Sequence, residues 1–135
     1  ATPSYLATIF LAEGRYTEFL EAYAQAAAVS KNAVRLQIAA EARTGYASGG
    51  NSGMLTAMLD AQLAAYKAGN EPAYPAAVTA AMLDKHEIAL DLLEDAVAAA
   101  DGDVLSLRIE TAFQPLYAEP RFRALLTKVG LPLPR

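Results

Sequence analysis

The chain has no cysteine, no tryptophan, a single histidine (His86) and only 11 Lys and Arg in 135 residues. Zero cysteine excludes disulfides and thiolate metal sites, and it fits the cytosol and the periplasm alike. One histidine leaves no second imidazole for a zinc set, and no cofactor is expected. With a net charge of −4 and no basic run, the chain lacks the electrostatic footprint of a nucleic-acid binder, so no nucleic-acid partner is expected. No apolar run reaches the ~18 residues of a membrane span. The sequence starts at Ala1 with neither an initiator Met nor a basic-then-apolar leader. The expectation is a soluble fragment or processed chain, cytoplasmic, with the periplasm left open.

What is abundant is alanine, at 31 residues, in a chain that is 54% hydrophobic and 19% charged. Alanine leads the helix-propensity scale and is depleted in strands, which points to an all-α protein. At about 150 residues per domain, residues 1–135 read as a single domain.

A fixed period organises the helices. The turn residues Gly14, Gly49 and Asp84 fall 35 apart. After each turn the same phase carries Phe19, Leu20, Tyr23, Ala26; then Met54, Leu55, Met58, Ala61; then Ala89, Leu90, Leu93, Ala96. This i, i+1, i+4, i+7 stripe has helical spacing and occurs three times.

Boundary signals agree with the period. Thr2-Pro3 reads as an N-cap followed by Pro at the first helical position, and Gly14 as the exit of that helix. A second helix is predicted over about 16–29, and Asn32 is placed to cap a third that runs to about Ser48. Gly49-Gly50-Asn51-Ser52 reads as a break before a fourth helix over about 53–68. Gly69-Asn70-Glu71-Pro72 is the most turn-rich stretch. A short helix over 74–83 follows. Asp84 with Glu87 resembles a capping box for a sixth helix to about Ala100, which Gly102 ends. Asp103 is expected to cap a seventh helix to about Phe113, and Glu119-Pro120 to open an eighth that Gly130 and Pro132 close.

These features resemble a tetratricopeptide repeat (TPR) array, whose units are helix-turn-helix pairs of about 34 residues. The resemblance covers about 3–101, with repeats at about 3–30, 33–68 and 74–101. The third unit matches best, through Ala80, Leu83, Ala89, Leu93 and Ala96; the first matches through Leu6, Phe10, Gly14, Tyr23 and Ala26, with Phe19 where a small residue is usual. The second is degenerate: Gly45 replaces a large residue and its turn holds a doubled glycine, so an irregular helix crossing is expected. The implied fold is an α-solenoid of three TPR-like repeats with a C-terminal capping helix pair over 103–135. That tail is similar to the run closing repeat arrays in bacterial signalling and regulatory proteins, through Phe113, Pro115, Leu116, Glu119, Pro120, Arg121, Phe122, Leu125, Leu126, Gly130, Leu131 and Pro132. Glu119 stands where Asp is common. In a solenoid such a tail covers the apolar face of the last repeat.

The search for chemistry finds no enzyme. His86 reads as a surface histidine at a helix start. Asp101-Gly102-Asp103 resembles a calcium-loop fragment, but Val104, Leu105 and Leu107 cannot supply the remaining ligands. Gly49-Gly50-Asn51-Ser52-Gly53 lacks the lysine and the preceding strand of a phosphate loop. The carboxylates Glu18/Glu21, Asp91/Glu94/Asp95 and Asp101/Asp103 read as solvated faces.

What remains is the groove that the resemblance implies, lined by the first helix of each pair. Its candidate residues are Tyr5 and Thr8 in unit one; Ala39, Arg43 and Tyr46 in unit two; and Tyr74, Val78 and Met82 in unit three. With Arg43 as the only base, this set suits an apolar peptide or amphipathic helix and disfavours a polyacidic tail. The alternative at these positions is packing against tail or neighbouring-domain residues. The functional expectation is a protein-interaction scaffold, a C-terminal module of a larger bacterial regulator that binds a protein or peptide partner or self-associates as a homodimer. The alternative expectation is a sensing or regulatory domain controlling a winged-helix, cyclase or kinase module outside this chain.

Overall fold

In a computed structural model, which describes residues 2–133, α1 (Pro3–Ala12) starts where the sequence punctuation places it. The Thr2 hydroxyl accepts the Tyr5 amide at 3.2 Å, and Pro3 occupies the first turn, where its missing N–H matters least. Helix α2 (Tyr16–Val29) follows a left-handed turn at Gly14, φ 73°. Helix α3 (Ala33–Lys67) is capped by the Asn32 side chain, which accepts the Arg35 amide at 3.0 Å. Next come α4 (Ala73–Met82), α5 (His86–Ala98), two 3-10 helices (Gly102–Ser106 and Thr111–Leu116) and α6 (Pro120–Val129), which ends at a left-handed Gly130. The described residues contain no strand. No helix among them is long and apolar enough to cross a membrane.

The helices divide into two units, Ala1–Asn70 and Glu71–Arg135, and the boundary falls within the turn-rich Gly69–Pro72 stretch. In the first unit α1 packs on α2 and α2 on α3, around Phe19, Leu20, Ile38, Met54 and Met58, all buried. Helix α3 departs from the expected four-residue break. Its only non-helical residue is Gly50, at φ 65° and ψ −147°, and helical structure continues on both sides. The arms reverse at this point: a Cβ built on Gly45 would fall inside the contact distance of the Gly53 carbonyl oxygen and 2.7 Å from the Ala57 Cβ. The two arms therefore approach so closely here that only glycine fits.

In the second unit α4 offers α5 a nearly all-alanine face, Ala73, Ala76, Ala77, Ala80 and Ala81, each 3% exposed or less. Small residues let Leu90, Leu93 and Ala96 of α5 come close. The turn between them corrects the capping-box expectation. Asp84 does not cap α5; it adopts the left-handed conformation at φ 59°, which Asp tolerates better than most side chains, and the N-cap position is Lys85 without a side-chain bond.

The tail also departs from expectation. The seventh helix does not form. The cap is Asp101, whose carboxylate accepts the Asp103 amide at 2.9 Å, and the segment winds as 3-10 turns, the second containing Pro115. In place of the expected helix pair, the segment holds two 3-10 helices and one α-helix. In a 3-10 helix residues three apart share a face, which suits the pairs Val104/Leu107 and Phe113/Leu116, all buried. Phe113 meets Phe122 of α6 with ring centroids at 5.9 Å, and Leu125 and Leu126 are buried with them.

Candidate functional site

The two helix pairs α1/α2 and α4/α5 carry the same turn seventy residues apart. Gly14 and Asp84 are both left-handed, and the next amide reaches back to the helix before it: Arg15 N to Phe10 O and Lys85 N to Ala80 O, each at 2.9 Å. The exits of α2 and α5 match as well, with Lys31 at φ 56° and Ala100 at φ 55°. Asn32 N bonds Ala27 O at 2.8 Å, and Asp101 N bonds Ala96 O at 3.0 Å. The entry turns match at a spacing of 70 and the exits at 69, so α2 and α5 can be compared position by position from their starts.

In the first unit, Ala39 and Ala42 are buried, which allows α3 to approach α2 closely. One helical turn beyond them stand Arg43, exposed, and Tyr46, half-buried. With Thr17, Leu20 and Glu21 of α2 they line an open depression of about 360 Å³. Leu20 forms its apolar floor at 4% exposure. The structure therefore brings two groove candidates together, against α2 and not along a row of first helices. The α2 residues were missed in the sequence because Glu21 reads as part of a solvated face; its i, i+1 and i, i+4 spacing to Leu20 and Thr17 is the signal that could have found them. Tyr5 is 61% exposed and Thr8 is also exposed, both on α1, but neither lines the depression.

Tyr74 does not present an open surface. It is buried, and its ring meets Phe113 edge-on at 5.8 Å and 86°. The tail covers it, since the second 3-10 helix packs on α4. Its hydroxyl finds no hydrogen-bond partner among the described residues, and burial pushes its pKa up, helped by the charges of Glu110, Asp103 and Asp101. Val78 and Met82, at i+4 and i+8 on the same helix, stay half-buried.

The α5 carboxylates are likewise more than a solvated face. Arg121, from α6, donates to Glu87 at 3.1 Å, to Asp91 at 2.7 Å and to both oxygens of Glu94 at 2.6 and 3.0 Å. The Arg121 hydrogen bonds hold the Glu94 carboxyl below the usual carboxylate range. Glu18 of α2 is paired with Arg15. Among the described residues no group of three or more His, Asp and Glu side chains converges as a metal set would. Comparison with family models, curated proteins and solved structures yields no match to this chain, so the functional reading rests on this geometry.

Proposed function

We propose that the chain is a TPR-like protein-interaction module, the C-terminal part of a larger bacterial regulator, which binds an apolar peptide or amphipathic helix or associates with itself. The observation that carries this reading is the recurrence of one helix-pair turn, Gly14 and Asp84 with the same reaching-back amide bond, two 35-residue periods apart. Recurring helix pairs are the building blocks of scaffolds that present surfaces to other chains. The open Arg43/Tyr46 depression adds the two residue types most enriched at binding hot spots after tryptophan.

Selection of a displayed random-peptide library on the immobilised chain tests the proposal, with sedimentation to monitor self-association. The expected result is enrichment of peptides rich in Leu, Phe and Tyr with few acidic residues, or a concentration-dependent dimer. A monomer that enriches nothing above an immobilised, unrelated helical protein would reject the interaction reading.

A further inference from the structure

We infer that the α2/α3 depression docks a partner helix presenting an acid, a base and a large apolar side chain on one face. The acid meets Arg43, the base meets Glu21, and the apolar group lies on Leu20 and the Tyr46 ring. This inference rests on the interaction reading above and gives it a place and a partner chemistry.

Three observations support it. First, the side chains of Thr17, Glu21, Arg43 and Tyr46 make no hydrogen bond or ion pair among the described residues, although they line one depression. Arg43 is the one described arginine left without any partner. Arg15, Arg121 and Arg123 donate hydrogen bonds, Arg108 lies over the Tyr117 ring, and Arg35 is engaged too. Second, Glu21 and Arg43 carry opposite charges in the same depression yet form no ion pair with each other within 4.0 Å. A guanidinium and a carboxylate left unpaired in this way present complementary charge to a ligand that carries both signs, and they offer no net attraction to one carrying many charges of a single sign.

Third, the other unit shows how the position corresponding to Glu21 is satisfied. Seventy residues after Glu21 is Asp91, which takes Arg121 from α6 at 2.7 Å. Phe122, the next residue, is fully buried beside Phe113. A base beside an aromatic on a short helix therefore satisfies an acid at this position of the second helix of a pair. In the first unit Glu21 forms no ion pair among the described residues, so no described arginine of this chain serves it. Arg43, likewise without an ion pair, adds the need for an acid.

The probe is a blocked synthetic helical peptide with Glu, Arg and Phe on one face. It is titrated into the ¹⁵N-labelled full chain, alongside a control peptide with Gln for Glu and for Arg. Saturable shifts centred on the amides of Thr17, Glu21, Arg43 and Tyr46 are expected. Arg43→Glu should weaken binding about tenfold or more, and a peptide with Lys in place of its Glu should recover most of the loss. Shifts centred elsewhere, an Arg43→Glu variant that binds unchanged, or no saturable binding would overturn the inference. The peptide-library selection decides the broader reading independently, because it needs neither this peptide nor this depression.

Discussion

Gly45 and Gly53 face each other across the reversal of α3, so close that neither has room for a Cβ. The atoms in the way are mainly backbone, the Gly53 carbonyl for one and the Gly45 carbonyl for the other, which cannot rotate aside as a side-chain tip can. Gly45→Ala or Gly53→Ala is expected to destabilise the first unit by roughly 1–3 kcal/mol through overpacking, more than alanine's helix propensity of about 1 kcal/mol returns. Gly49 has open space around it and no positive φ, so Gly49→Ala is expected to be neutral or to stabilise by up to about 1 kcal/mol. Urea midpoints of the three variants check this ordering; an equal response at positions 45 and 49 would contradict the close crossing.

Gly50 tests the same reversal by a different mechanism. Its φ of 65° with ψ of −147° lies near a region occupied essentially by glycine alone. Gly50→Ala should cost about 1–3 kcal/mol through backbone strain although nothing lies within 4 Å of the site. Thermal denaturation of Gly50→Ala beside Gly49→Ala separates strain from crowding.

Several helix starts and stops were legible from residues that act on their own neighbours, although the caps expected at Asp84 and Asp103 did not form. Thr2-Pro3, Gly14, Asn32 and Gly130 all work through local hydrogen bonds or their own φ, and each does so here. Features depending on an approach between distant segments were not legible. The doubled glycine suggested a four-residue break, and only the contact of Gly45 with Gly53 explains why one residue suffices to turn the chain. The 3-10 tail follows the demand that Phe113 and Leu116 both face the second-unit core, a demand local capping rules do not contain. At the candidate site, Arg43 and Tyr46 could be named from their phase, but that α2 supplies the opposite wall follows from the packing of α2 on α3.

Tyr74 offers a test of the tail as cover. Its buried hydroxyl lacks a partner, so Tyr74→Phe is expected to be neutral or to stabilise by up to about 1 kcal/mol, whereas Tyr74→Ala should lose roughly 3–5 kcal/mol. Folding favours the neutral phenol because the pKa is raised above its ordinary 10.0. That contribution is fully present below pH 10 and fades as pH rises above it, since the unfolded chain then ionises more readily. Alkaline melts of the wild type and Tyr74→Phe should therefore diverge above about pH 10, the wild type losing stability faster. Parallel curves would show that Tyr74 is solvated.

The Arg121 cluster predicts an acid and salt response in the second unit. Glu94 is held below its ordinary 4.5, so the folded state releases that proton more readily than the unfolded chain. The stabilisation is complete above pH 4.5 and is lost as pH falls through the lowered value. Because these carboxylates are largely exposed, the effect should be modest and should shrink in high salt. Arg121→Gln should flatten the acid limb of the stability curve below about pH 4.5 and reduce its salt dependence. If the slopes of the variant and wild type coincide, the ion cluster contributes nothing to holding α6.

The tail itself is the strongest test of how the second unit is built. Leu107, Phe113, Leu116, Phe122 and Leu126 are fully buried, so removing residues after Gly102 strips the α4/α5 pair of a large part of its apolar cover. By area arguments each such side chain represents about 1.5–3 kcal/mol of burial, well beyond what a helix pair of this length can forgo. The truncated chain is expected to aggregate, or to bind a hydrophobic dye while the first unit keeps its helicity. Phe113→Ala, a milder change, should lose roughly 3–5 kcal/mol, and it should expose Tyr74 to a quencher that does not reach it in the wild type. A truncation that stays soluble with an unchanged midpoint would show that α4 and α5 form a stable pair without the tail and that Phe113 only rests on their surface.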